Sequence, residues 1–215
     1  MSTPFDVISD TAPPFASPSE CSCPPQCTKD RILRAAQNLF YRHGIRAVSV
    51  DAIAAEAETT KVTLYRLYES KDALVAACLE DQTRRFWEWW DATIKPHAGN
   101  ARAQVEALFQ LLENRLCHKT ADRGCPIANT AVEVDPDHPA ARIIREHHDE
   151  IARRFRALCK EMGARQPDAL GDALTLLVVG AFSARCVFAS TEHLDTVGEA
   201  ARALLDSPAL GAPRN

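Results

Sequence analysis

The chain has 215 residues, 46% hydrophobic and 25% charged, with a formal net charge of -4. That composition is ordinary for a soluble globular protein and excludes one coated all over in nucleic acid. It leaves room for a local basic face, because a binding footprint depends on where charge clusters. Glycine is scarce at 8 residues and alanine abundant, which favours helix.

Residues 1–27 contain six prolines, many Ser and Thr, and no apolar period. They are expected to form a disordered tail. Cys21, Cys23 and Cys27 lie within it. They are either incidental or a soft-metal or redox cluster. From Thr28 the pattern changes. Ile32, Ala36, Leu39, Phe40 and His43 recur at helical spacing, with Thr28 as N-cap and Gly44 as a stop. Ser49 is expected to cap a short helix whose stripe is Val50, Ile53, Ala54 and Ala57. Thr60 caps a second, running through Val62, Leu64 and Leu67. Ser70 caps a third, beginning at Lys71 and reaching about Thr93 before Pro96 and Gly99. Further helices are expected over 101–119, 140–162, 167–190 and 191–205, with a short one possible within 125–134. No stretch alternates convincingly as a strand.

Two short helices joined by a tight turn and flanked by longer ones describe a helix-turn-helix. The second short helix would enter the major groove of double-stranded DNA. Lys61, Thr63, Tyr65, Arg66 and Tyr68 supply groups for base edges and phosphates. Lys71, at a helix start, would place charge and backbone N–H groups on a phosphate. Ser49 and Thr60, the two caps, complete the expected DNA-binding set. Leu64 and Leu67 are the expected buried anchors. Tyr65 and Tyr68 could equally be ordinary amphipathic surface residues, and Arg66 a solvated charge. Residues 28–72 carry eight Lys/Arg against six acids, a slight basic excess in an acidic chain.

The segment SVDAIAAEAETTKVTLYRLYESKDAL resembles the N-terminal domain of the TetR family of transcriptional regulators. Ser49, Val50, Ile53, Ala54, Ala57, Thr60, Leu64, Tyr65, Tyr68, Ser70, Lys71 and Leu74 carry the match. Ala35-Ala36, Leu39-Phe40 and His43-Gly44 resemble the family's first helix. The resemblance implies a homodimer on a palindromic operator, and repression relieved by a small-molecule effector. It also implies an all-α fold: a three-helix DNA-binding head (28–74), then a helical ligand-binding and dimerisation body (75–207), with 208–215 as a disordered tail. The sequence departs at the family's turn glycine, which is Glu58, and at its neighbour, Thr59. Glutamate is ill suited to positive φ, so a reshaped turn is expected.

In the body, Phe86, Trp87, Trp89 and Trp90 form an aromatic cluster. Trp87 and Trp90 are either a wall for an apolar effector or plain packing. Cys125, in a Gly-Cys pair near Arg123, resembles a cysteine that is reactive in some members of the family. It is either a thiol sensor of oxidants or electrophiles, or a buried structural residue. His118 lies close to Cys117, but the spacings of the Cys and His residues match no standard zinc pattern. Residues 168–190 are apolar nearly all round, as in a helix buried on most sides, and suit a dimer interface with the final helix.

No metal or cofactor is expected. Nothing points to an enzyme: G-x-S-x-G, P-loop, GxGxxG and H-E-x-x-H patterns are all missing. No signal peptide is visible, and the longest uncharged apolar run, Ala173–Ala184, is too short to span a bilayer. A cytoplasmic protein with no membrane partner is expected.

Overall fold

The computed structural model describes residues 28–117, 123–187 and 196–211. The Cys21/Cys23/Cys27 cluster and His118 lie outside the described residues. The described elements are all helical: α1 (Thr28–His43), α2 (Val50–Glu56), α3 (Lys61–Leu67), α4 (Lys71–Ile94), α5 (Ala101–Cys117), α6 (Pro126–Ala131), α7 (Pro139–Glu161), α8 (Pro167–Val187) and α9 (Val197–Leu205). A 3₁₀ turn, Lys95–His97, follows α4.

The three expected caps of the head form. Ser49 Oγ accepts from the Ala52 amide at 3.1 Å, Thr60 Oγ1 from Thr63 at 3.1 Å, and Ser70 Oγ from Ala73 at 3.0 Å. Each satisfies a backbone donor that the helix itself leaves orphaned. Such caps matter most for α2 and α3, which are only seven residues each and too short to persist without help. The first helix starts at Thr28 itself, so Thr28 is its first residue rather than its cap. Gly44 stops it with φ of 82°.

α1, α2, α3 and the start of α4 enclose one apolar cluster. Its fully covered members are Ile32, Ala36, Ile53, Leu64 and Leu74. A second, larger cluster fills the body, from Phe86 and Trp90 on α4 to Leu170 and Leu174 on α8. The two meet on α4. Leu74 and Cys78 belong to the head cluster, and Val75 and Leu79, one residue on in each case, belong to the body. α7 and α8 lie close together at Gly171, where a Cβ would come within 2.6 Å of the Arg156 backbone nitrogen. Past α9 the chain is not a free tail at its start. Gly211 accepts from the Arg165 amide at 3.2 Å, and the Arg165 guanidinium donates to the Pro208 carbonyl at 2.6 Å.

α8 is less buried than its apolar sequence suggests. Leu176 is 71% exposed and Gly180 has open space beside it. With Ala169 and Ala173 these residues recur every three or four positions, so they share one outward face. By length and composition Pro167–Ala184 would also be long and apolar enough to cross a membrane. It carries Asp168 and Asp172, however, and Asp172 pairs with Arg156 of α7 at 2.5 Å.

The turn between α2 and α3 is not reshaped, contrary to expectation. Glu58 adopts φ of 48°, alone among the described non-glycine residues in being positive. The turn holds because Thr59 N donates to Ala54 O at 2.9 Å and Glu58 N to Ala55 O at 3.1 Å. The left-handed conformation costs a residue with a Cβ roughly 1–2 kcal/mol, partly offset by the lower unfolded-state entropy of a non-glycine residue. Glu58→Gly is therefore expected to stabilise the protein by up to about 1 kcal/mol, seen as a higher thermal midpoint. A fall in the midpoint would mean that the turn carries no such strain.

Candidate nucleic-acid interface

α3 is anchored by one residue and presents the rest. Leu64 is fully buried in the head cluster. Lys61, Val62, Tyr65 and Arg66 are exposed, and at that spacing they form a single stripe on the short helix. Val62 is 79% exposed. Hydropathy alone would place this valine inside. Thr63 is half-buried, and its hydroxyl lies 3.0 Å from that of Thr60. Ser49 and Thr60 are exposed and spend their oxygens on the caps.

Two expectations reverse at the end of α3. Leu67 is 37% exposed rather than buried, and Tyr68 is 6% exposed rather than on the surface. The reason is the backbone. The helix ends at Leu67, and Tyr68 is extended, with φ of -138° and ψ of 118°. Helical spacing would put Tyr68 beside Tyr65, but the extended residue turns its ring into the head core. Lys29 Nζ lies 6.0 Å from the centre of that ring.

Electrostatics on this face are local. Lys61 Nζ pairs with Asp51 Oδ2 of α2 at 3.0 Å, both well exposed. The hydrogen bond to Asp51 raises the lysine's pKa. Lys71 is placed differently from expectation. Its ammonium donates to the Ile45 carbonyl at 2.5 Å, so it ties the start of α4 to the loop after α1.

The body residues singled out from sequence fall into two places. Trp87 and Trp90 join Phe86 of α4, His147 and Phe155 of α7, and Phe109 of α5. Ring centres are 4.7 Å apart for Phe86–His147, 5.4 Å for Trp87–His147, 4.9 Å for Trp90–Phe155 and 5.8 Å for Phe109–Phe155. The Arg154 guanidinium covers Trp87 at 4.2 Å from the ring centre and pairs with Asp91. This is ring-on-ring packing. A cavity of about 20 Å³ lies elsewhere, between α1, α4 and α6, and neither tryptophan lines it. His147 is 2% exposed, and its Nδ1 has no hydrogen-bond partner among the described residues. Burial pushes its pKa down to about 3, so the imidazole is neutral. Nothing in its sequence surroundings marks it, because the rings that enclose it come from another helix.

Cys125 is buried at 6% exposure. Arg123, expected to favour its thiolate, points its guanidinium instead at the Tyr41 and Arg42 carbonyls, at 3.1 and 2.7 Å. Cys78 and Cys159 are buried as well; burial raises both pKa values, that of Cys159 to about 12. Among the described residues no three His, Cys, Asp or Glu side chains are grouped to hold a metal ion.

A short capped helix standing out from a three-helix head, on a separate helical body, defines a helix-turn-helix protein. The family model for bacterial regulatory proteins of the tetR family matches residues 32–78. The chain is 29% identical over 116 residues to the HTH-type transcriptional regulator Rv1556 of Mycobacterium tuberculosis, over 54% of this chain and 52% of that one. It is 46% identical over 56 residues to the HTH-type transcriptional repressor SCO4008 of Streptomyces coelicolor, over 26% of this chain and 29% of that one. The chain thus spans about half the length, or less, of these curated relatives. Among solved structures, SCO4454, a TetR-family transcriptional regulator from Streptomyces coelicolor, superposes with a TM-score of 0.72 at 28% identity, covering 82% of this chain and 93% of that one. The reduced form of Escherichia coli NemR shares the fold, with a TM-score of 0.72 at 17% identity over 86% of this chain and 99% of that one. Residues 32–78 thus form a head of the tetR type, and the helical body follows the fold of TetR-family regulators.

Folded His147 takes up a proton only near pH 3, against 6.5 for a free histidine. The unfolded chain therefore binds the extra proton first, and stability falls as pH drops below about 6.5 towards 3. Between about pH 7 and pH 5 the wild type is expected to lose about 2 kcal/mol more than His147→Phe, read from urea midpoints. Parallel pH profiles would show that His147 is not held neutral by burial.

Proposed function

We propose that the chain is a DNA-binding transcriptional repressor, working as a homodimer and leaving a palindromic operator when a small effector binds its body. The observation that carries this is the exposed stripe of α3 on a head that matches the tetR model. Lys61 and Arg66 offer phosphate or base contacts, and Tyr65 a phenolic hydrogen bond. Val62 offers an apolar group for a thymine methyl, and Thr63 a hydroxyl and a methyl for a base edge. Ser49 and Thr60 sit at two helix N-termini, where backbone N–H groups favour a phosphate. Lys71 acts by fixing the start of α4 against the loop after α1. Tyr68 supports α3 from beneath. SCO4008 is an HTH-type transcriptional repressor, as is NemR of Escherichia coli, to which the chain is 23% identical over 107 residues.

A second copy is the proposed cover for the outward face of α8. Leu176 supplies an apolar knob there, and Gly180 lets a partner helix approach closely. The effector is proposed to enter beside Trp87 and Trp90. An apolar, ring-bearing molecule with one hydrogen-bonding group would have to part these packed rings, and would then satisfy His147 Nδ1. Burial of Cys125 does not favour thiol sensing at that residue.

Selection from a random pool of duplexes is expected to return a palindromic consensus. A purified chain that is monomeric and binds no duplex at low ionic strength would overturn the reading. Lys61→Ala is expected to weaken binding to every duplex and to lower the slope of log affinity against log salt by about 0.9; an unchanged slope would remove Lys61 from phosphate contact. Leu176→Arg is expected to convert a dimer to a monomer in analytical ultracentrifugation. A variant that stays dimeric would put the interface elsewhere.

A further inference from the structure

The short segment around Ile45 is held from several sides at once. Its amide donates to Glu133 Oε2, after α6, at 2.6 Å. Its carbonyl accepts from Lys71 Nζ of α4 at 2.5 Å. Its side chain is 8% exposed and belongs to the body cluster, whereas Val48, three residues on, belongs to the head. The neighbouring Arg46 amide also donates to Glu133 Oε2, at 3.3 Å, and its guanidinium Nε to the Glu133 carbonyl at 3.3 Å. Gly44 has two reasons to be glycine: its φ of 82°, and the Glu133 carboxylate lying 3.0 Å from where a Cβ would be.

A second grip lies one turn back. Arg123 donates to the Tyr41 and Arg42 carbonyls, the negative end of α1. The Tyr41 hydroxyl in turn accepts from the Arg123 amide at 3.0 Å and lies 3.4 Å from the Gly124 carbonyl. Asn129 Nδ2 donates to the Arg123 carbonyl at 2.5 Å, tying this turn to α6. One body segment, 123–133, therefore grips the 41–46 corner through a carboxylate on two amides and a guanidinium on two carbonyls. Charge-assisted bonds of this kind are stronger and more directional than neutral ones. The head is tethered by this clasp as well as by the continuous α4.

We propose that Glu133 and Arg123 are positioning residues: they clasp the 41–46 corner and set the orientation of the helix-turn-helix head on the body. This rests on the DNA-binding reading above. A dimeric binder must present both α3 helices at a fixed spacing, so a loosened clasp lowers affinity for a matched duplex far more than for an arbitrary one. A change in the body that shifts α6 would reach the head by this route.

The test uses the full chain, the duplex that the wild type selects from a random pool, and an unrelated duplex of the same length. Glu133→Ala is expected to bind the selected duplex at least tenfold more weakly and the unrelated one within twofold of wild type. Amide exchange at Ile45 and Arg46 should quicken while that of α7 and α8 stays unchanged. Glu133→Gln keeps an acceptor oxygen without the charge and should fall between. Equal affinities alongside quickened exchange would overturn the proposal, since the contact would then be local. If Glu133→Ala also loses protection in α7 and α8, Glu133→Gln decides: a fall in affinity confined to the selected duplex supports the proposal, and unchanged affinities overturn it. If the wild type selects no duplex, the DNA-binding reading fails separately. The clasp then stands if quickened exchange spreads from 45–46 into α2 and α3, and falls if it stops at those two amides.

Discussion

Within one and a half turns of α4, Leu74 and Cys78 pack into the head while Val75 and Leu79 pack into the body. Residues one position apart on a helix point about 100° apart, so one rod can join two cores only if apolar side chains cover both directions. That constraint shapes the rest of the molecule. The head is too small to fold securely as a free unit, because α2 and α3 are seven residues each and depend on buried neighbours for their shape. Anchoring the head on a 24-residue helix lends it the rigidity of the body.

The economy of the head follows from this. Leu64 is the one α3 residue that is fully buried, supported by Tyr68 just past the helix end. Lys61, Val62, Tyr65 and Arg66 face outward. Their polarity is mixed: an exposed valine and tyrosine beside a lysine and an arginine, with Asp51 neutralising the lysine when no partner is present. A surface like this suits discrimination better than indiscriminate attraction, since its positive charge is sparse and its apolar groups have defined positions.

The body shows the opposite arrangement. Its aromatic rings cover one another, and a polar atom among them, His147 Nδ1, has no partner among the described residues. Burying an unsatisfied polar atom costs free energy that good packing alone would avoid. This unpaired nitrogen distinguishes the cluster from an ordinary core. On the outward face of α8, Leu176 is left uncovered.

The local features were legible in the sequence. The caps at Ser49, Thr60 and Ser70, the stop at Gly44, the all-helical class and the anchor Leu64 depend on neighbours within a few residues, where spacing and side-chain chemistry suffice. Tertiary packing decided the rest. It put Tyr68 inside and Leu67 outside by ending a helix one residue early. It turned Arg123 away from Cys125 towards α1, and enclosed His147 in rings from a distant helix. Each of those outcomes depends on groups tens of residues away or on where the backbone changes conformation, and periodicity along one strand of sequence carries no record of either.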